Sequence, residues 1–246
     1  MGHKKSLNKK RLTKKQVQEL IETEGKLHAE FTKLFEETYS TGYKNQPLVY
    51  ELPNDKFLFV FDPKTGRIGG KGDIYPKEYF LRWIRWTQKV RDNYANNRGS
   101  SVEHWRYYSK YKTELINKID NLLDELVEQF DITHSQLDFS YISLDIVSLK
   151  AEEYGIDKVQ AKLYDHLVAY VGEILRHKVN GQWAIDALSG YESYPYIRAE
   201  INQVMMPINI VWQELGGLEP VNLRKETANE IRRFSLNRPN KLNRNP

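Results

Sequence analysis

Leu115-Ile116-Asn117-Lys118-Ile119-Asp120-Asn121-Leu122-Leu123-Asp124-Glu125-Leu126-Val127-Glu128-Gln129-Phe130 is the stretch whose reading decides the fold. Leu115, Ile116, Ile119, Leu122, Leu123, Leu126, Val127 and Phe130 recur every three or four residues, with amides and carboxylates between them. That is the period of an α-helix with one apolar stripe and one wet face. The stripe has to be covered by other elements, and the flanking sequence supplies them.

Upstream, Ser101 with Glu103 and His104 opens a helical stretch that continues into 115–130. Asn96-Asn97-Arg98-Gly99-Ser100-Ser101 separates it from a helix over about 76–95, which carries Tyr79, Phe80, Trp83, Ile84, Trp86 and Val90 and starts at Pro76. Before that comes the clearest β region. Leu48–Leu52 and Phe57–Phe61 flank Pro53-Asn54-Asp55, and a third strand is expected to begin at Arg67–Gly69 after Asp62-Pro63-Lys64-Thr65-Gly66. Thr13 with Gln16 is a capping box, and the spacing of Val17, Leu20, Ile21, Leu27, Phe31, Leu34 and Phe35 predicts one helix to about Tyr39.

Downstream, 131–138 reads as a connector and a domain boundary. Ser140–Tyr154 predicts a helix ending at Gly155. Asp157 caps the next, with Val159, Leu163, Leu167, Tyr170, Val171, Ile174 and Leu175 inward and Asn180-Gly181 at its end. Gln182–Leu188 and Tyr194–Ile201 predict a hairpin. Pro207 then starts a helix that Gly216-Gly217 ends; the competing reading is one kinked helix over 194–215. The fold class expected is therefore α+β, mostly helical, with two small antiparallel β elements. The domains expected are a disordered basic arm (1–15), a helical domain with a β-meander (16–133), an α+β domain (134–231) and a disordered basic tail (232–246).

Charge is unevenly placed. Residues 1–15 hold seven cations and no carboxylate, and residues 232–246 hold five and none. Of 37 Lys+Arg these account for 12, leaving 25 against 33 acids, so the rest of the chain is about −8. Such a body favours a cationic protein partner, and such ends a polyanion. The chain has no cysteine, which excludes disulfides, thiolate metal sites and cysteine nucleophiles. No apolar run reaches the roughly 20 residues that span a bilayer, and the basic start lacks an apolar segment after it, so no membrane contact and a cytoplasmic location are expected.

Leu137-Asp138-Phe139-Ser140-Tyr141-Ile142-Ser143-Leu144, then Leu167-Val168-Ala169-Tyr170-Val171-Gly172-Glu173-Ile174-Leu175-Arg176, then Gly181-Gln182-Trp183 form the pattern LD-S--SL, L-AY-GE--R, G-W. The pattern, over about 136–215, resembles a group of uncharacterised bacterial domains. Some of these lie beside secreted toxins or in defence loci and are thought to act as immunity or accessory proteins. The resemblance implies binding of another protein and brings no catalytic residue with it.

The residues themselves say more. Gly172 in mid-helix costs about 1 kcal/mol relative to Ala and points to close approach by another group, with Trp183 the candidate. Glu173 and Arg176 can pair at i,i+3, and His177 follows on the same side. Glu173, Arg176 and Trp183 are thus the candidate binding residues, and an enzyme centred on Glu173, Arg176 and His177 is a further alternative. The six histidines make no metal-ligand spacing, so neither a metal nor a cofactor is expected. There is no serine elbow, and Arg67-Ile68-Gly69-Gly70-Lys71-Gly72-Asp73 lacks phosphate-loop spacing.

The alternative is nucleic-acid binding through the basic ends and the aromatic-basic region 82–112. There Arg82, Arg85, Lys89, Arg106 and Lys110 interleave with Trp83, Trp86, Trp105, Tyr107 and Tyr108. The same mixture also describes an amphipathic helix with a buried aromatic face and a snorkelling basic rim, and Phe80, Trp83, Ile84 and Val90 fit that face.

Overall fold

The computed structural model describes residues 10–36, 44–186, 194–199 and 203–236. They form an α+β structure, mostly helical, with one five-stranded and one three-stranded antiparallel sheet. The chain divides into two compact units, 1–96 and 97–246.

Unit 1 contains β1 (Lys10–Leu12), α1 (Lys14–Thr23), β2 (Lys26–Leu27), α2 (Ala29–Leu34), β3 (Leu48–Leu52), β4 (Lys56–Val60), β5 (Gly72–Pro76) and α3 (Lys77–Ala95). The sheet order is β1-β5-β4-β3-β2. Strand alternation sends Val49, Phe57, Phe59 and Tyr75 to one face, where α2 and α3 bring Phe31, Phe35, Phe80 and Trp83. The other face presents Leu52, Leu58 and Val60 to Val17, Leu20 and Ile21 of α1. The result is three layers with a different core on each side of the sheet.

The basic arm does not run to residue 15. Lys10–Leu12 pairs with β5, and Arg11 makes a bidentate salt bridge to fully buried Asp73 (2.9 and 3.1 Å), so one of the arm's cations satisfies a carboxylate of the sheet. The single helix from Thr13 to Tyr39 is two helices, because Lys26–Leu27 leaves the helical path to pair with β3; Tyr39 itself lies outside the described residues. The third meander strand is Gly72–Pro76, and Gly66–Ile68 is a 3-10 turn before it.

Unit 2 contains α4 (Ser101–Tyr108), a 3-10 segment (Lys112–Lys118), α5 (Ile119–Phe130), α6 (Tyr141–Tyr154), α7 (Ile156–Lys162), α8 (Tyr164–Val179), β6 (Gln182–Asp186), β7 (Tyr194–Arg198), β8 (Val204–Met205), α9 (Pro207–Gly216) and α10 (Leu223–Leu236). α8 is its axis. From Tyr164 to Leu175 every residue of it is buried, since α5, α9, α10 and β7 surround it. Leu115, Leu122, Leu126 and Phe130 share one core with Leu144, Leu167 and Ile208. The boundary expected at 131–138 is therefore wrong: the stripe of 115–130 is covered by the segment after the connector, and the division falls at 96/97.

Local signals decide the ends. Ser100 and Glu103 form a capping box for α4, and Ser140 caps α6. Gly155 ends α6 at φ +94°, a conformation that disfavours a side chain. Pro207 opens α9 after the strand Val204–Met205, so the strand-then-helix reading holds over the kinked helix. The loop expected between the hairpin strands, 187–193, lies outside the described residues. The disordered basic tail expected over 232–246 is helical to Leu236, the end of α10, and residues 237–246 lie outside the described ones. Asn222 accepts from the Lys225 N–H at 2.9 Å as its N-cap, and Leu223, Thr227 and Ile231 face inward.

Candidate functional site

The three residues singled out for binding do meet. α8 presents Glu173, the β6 hairpin strand brings Trp183 across it, and the two are linked by hydrogen bonds. The Trp183 indole N–H donates to Glu173 Oε1 at 2.7 Å. Arg176 one turn on donates from Nε at 2.9 Å to Oε1 and from Nη2 at 2.6 Å to Oε2. Gly172 is what lets the indole in: a Cβ there would stand 2.1 Å from Trp183 Cζ2 and Cη2, so no other residue fits without moving the ring.

Glu173 is 7% exposed. Burial alone would raise its pKa. The hydrogen bonds from Arg176 and Trp183 outweigh it and hold the carboxyl below its ordinary value. His177 stands at the solvent edge, with Nε2 3.6 Å from Glu173 Oε2, and its ring lies against Phe139 at 5.1 Å between centroids. Both carboxylate oxygens are thus occupied by fixed donors. The group ties the end of α8 to the hairpin. Two clefts of about 210 and 350 Å³ lie at α2–α3 and α9–α10, and neither is lined by Glu173, Arg176, His177 or Trp183.

A second polar group, Asp165 beside His166, is divided between two structural tasks. Asp165 accepts the Lys110 and Tyr111 backbone N–H groups at 2.6 and 3.1 Å, clamping the turn after α4. His166 Nε2 lies 2.8 Å from Glu125 Oε2, joining α8 to α5. Burial lowers the His166 pKa against the pull of Glu125. Neither residue turns toward His177. Among the described residues, no group of three or more His, Asp or Glu could hold a metal ion, and no helix is long and apolar enough to cross a membrane.

The aromatic-basic region splits. Trp83 and Trp105 are core residues, each in a different unit. Arg82, Arg85 and Lys89 lie on α3 of unit 1; Arg106 and Lys110 are exposed in unit 2. The sequence block 82–112 therefore spans two units and more than one helix.

Sequence reasoning missed one surface. Ile142 (67% exposed), half-buried Ile146 and Leu149 (59% exposed) line the outward side of α6, at helical spacing. Asp145 beside them pairs with Arg224 of α10 at 2.7 Å, and Glu153 with Lys150 at 3.2 Å. The signal is legible in hindsight: α6 is apolar nearly all round, more than one buried face requires.

The units also divide the charge. Residues 1–96 carry 19 Lys+Arg against 12 Asp+Glu, and residues 97–246 carry 18 against 21, so the net values are +7 and −3. Setting aside the 12 terminal cations, residues 16–96 balance at 12 against 12, and the whole −8 lies in 97–231, at 13 against 21. Comparisons with family models, with curated proteins and with solved structures find no match to this chain.

Proposed function

We propose that this protein acts by contact and not by catalysis: unit 2 is a cytoplasmic protein-binding module of the immunity or defence-accessory kind, and its partner is cationic with apolar side chains at the centre of its contact face. The observation that carries this is the outward stripe Ile142–Ile146–Leu149, set in the unit that holds the body's net negative charge. Apolar area of this kind contributes affinity when covered, and a surrounding negative field selects and steers a basic partner. The fixed hydrogen bonds that Glu173 accepts from Arg176 and Trp183 give it a structural task and so support the non-catalytic reading over an enzyme centred on Glu173, Arg176 and His177. The lack of cysteine supports a reducing compartment.

Site-specific photo-crosslinking tests the contact. A photo-reactive residue at 142 or 149 should capture one basic protein in cells, with a yield that falls as salt rises. Yields no higher than from position 162, on α7 of the same unit, would refute it. Co-expression of the captured protein tests the context: its toxicity should be relieved by the wild type and not by Ile142→Ser/Leu149→Ser.

A further inference from the structure

α3 has two unlike sides. Phe80, Ile84 and Thr87 are buried. At about 100° per residue, Arg82, Arg85, Trp86 and Lys89 fall within an arc of roughly 100° on the opposite side. Arg82 and Arg85 are exposed, Trp86 and Lys89 are half-buried beside them, and among the described residues neither arginine is held in an ion pair. The stripe belongs to the unit whose net charge is +7.

The geometry points to a single-stranded nucleic-acid contact on α3, with Arg82, Arg85 and Lys89 neutralising successive phosphates and the Trp86 indole stacking on an unpaired base. From Arg82 to Lys89 the helix rises about 10 Å, so the three cations lie along one line that the backbone of a single strand can follow. An indole flanked by cations offers what such ligands use: a π-face for any base and charges for the backbone. A helix lying on a membrane would instead need a broad apolar face outward beside its cations. In α3 that face is turned inward, where Phe80 and Trp83 are packed on Phe59 and Tyr75. This inference uses unit 1 alone, so it stands or falls apart from the protein contact proposed for unit 2.

Fluorescence anisotropy of the full chain with labelled oligothymidylate of about 15 nucleotides, titrated from about 50 to 200 mM salt, tests it. Three phosphate contacts give a log–log slope of about −2, or about a 20-fold loss across that range. Arg82→Gln/Arg85→Gln should flatten the slope to about −0.7 and weaken binding at least tenfold at the low-salt end. Arg82→Lys/Arg85→Lys, which keeps the charge, should bind within about threefold of wild type. Trp86→Leu, which keeps apolar bulk but removes the stacking ring, should weaken binding at least about fivefold with the slope unchanged. Lys64→Gln/Arg67→Gln removes the same charge from an exposed turn of unit 1 and should cost less than about threefold. Equal losses for the two glutamine pairs, full binding by Trp86→Leu, or binding to phosphatidylserine vesicles without binding to the oligonucleotide would each overturn the inference.

Discussion

Unit 1 closes its core around a sheet, and unit 2 closes its core around a helix. In unit 1 the strands offer two faces, and each takes its own helix layer, aromatic on one side and aliphatic on the other. In unit 2 α8 has no wet face through most of its length, and everything else is arranged around it. The charges follow: the first unit is net basic and the second net acidic. One chain thus carries two separate cores and two opposite net charges.

The most severe way to break this comparison is to empty one core at a time. Phe80→Ala should cost unit 1 about 3–5 kcal/mol, and Leu167→Ala should cost unit 2 about 2–5 kcal/mol. Calorimetry should then show one transition lowered by each change and the other left in place. A single transition lowered by both would mean the units unfold as one. Next in size is Gly172→Ala. The added methyl meets Trp183 at 2.1 Å, and overpacking of about 1–3 kcal/mol exceeds the gain in helix propensity. A double-mutant cycle with Trp183→Leu should recover most of that loss, and an additive result would refute the contact.

Glu173→Gln comes next, at about 1–3 kcal/mol, because it leaves Arg176 and the indole N–H with a weaker acceptor while Arg176 keeps some contact with water. The pH dependence has a defined sign. The folded pKa of Glu173 lies below its ordinary value of 4.5, so its stabilisation is present above about that pH and is lost as the pH falls through the folded value. The glutamine variant should show a shallower acid limb in the melting of unit 2, read by circular dichroism. The smallest effect expected is Asn222→Ala, about 1 kcal/mol from the loss of the α10 N-cap, measured by the same melts.

What could be read from the sequence followed the range of the forces involved. The capping box at Thr13, the Gly155 stop, and the approach of Trp183 to Gly172 are local or nearly so, and the text shows them; the cap of α4 is Ser100, one residue before the Ser101 expected to open that helix. The 115–130 stripe is equally plain, but nothing in it says which segment covers it, and that partner decides the domain boundary. Lys26–Leu27 carries helical spacing yet joins the sheet, because a strand partner at Tyr50 and Glu51 offers backbone hydrogen bonds that a helix continuing through Gly25 would forgo. α10 carries a weak signal because only Leu223, Thr227 and Ile231 mark its inner side, and its last residues from Arg232 on read as part of a basic tail. The division of charge between units is written in the sequence but cannot be seen until the 96/97 boundary is known.

The last helix carries a consequence for how the molecule is made. Leu223 N–H meets Ser148, Val221 N–H meets Glu152 and Arg224 meets Asp145, all on α6. A growing chain can therefore finish its first unit while the second is still being translated, but the second stays open along α6 until residues beyond 221 emerge. A ribosome that stalls short of them releases a product whose acidic half is unsealed, which proteases can distinguish from a finished one.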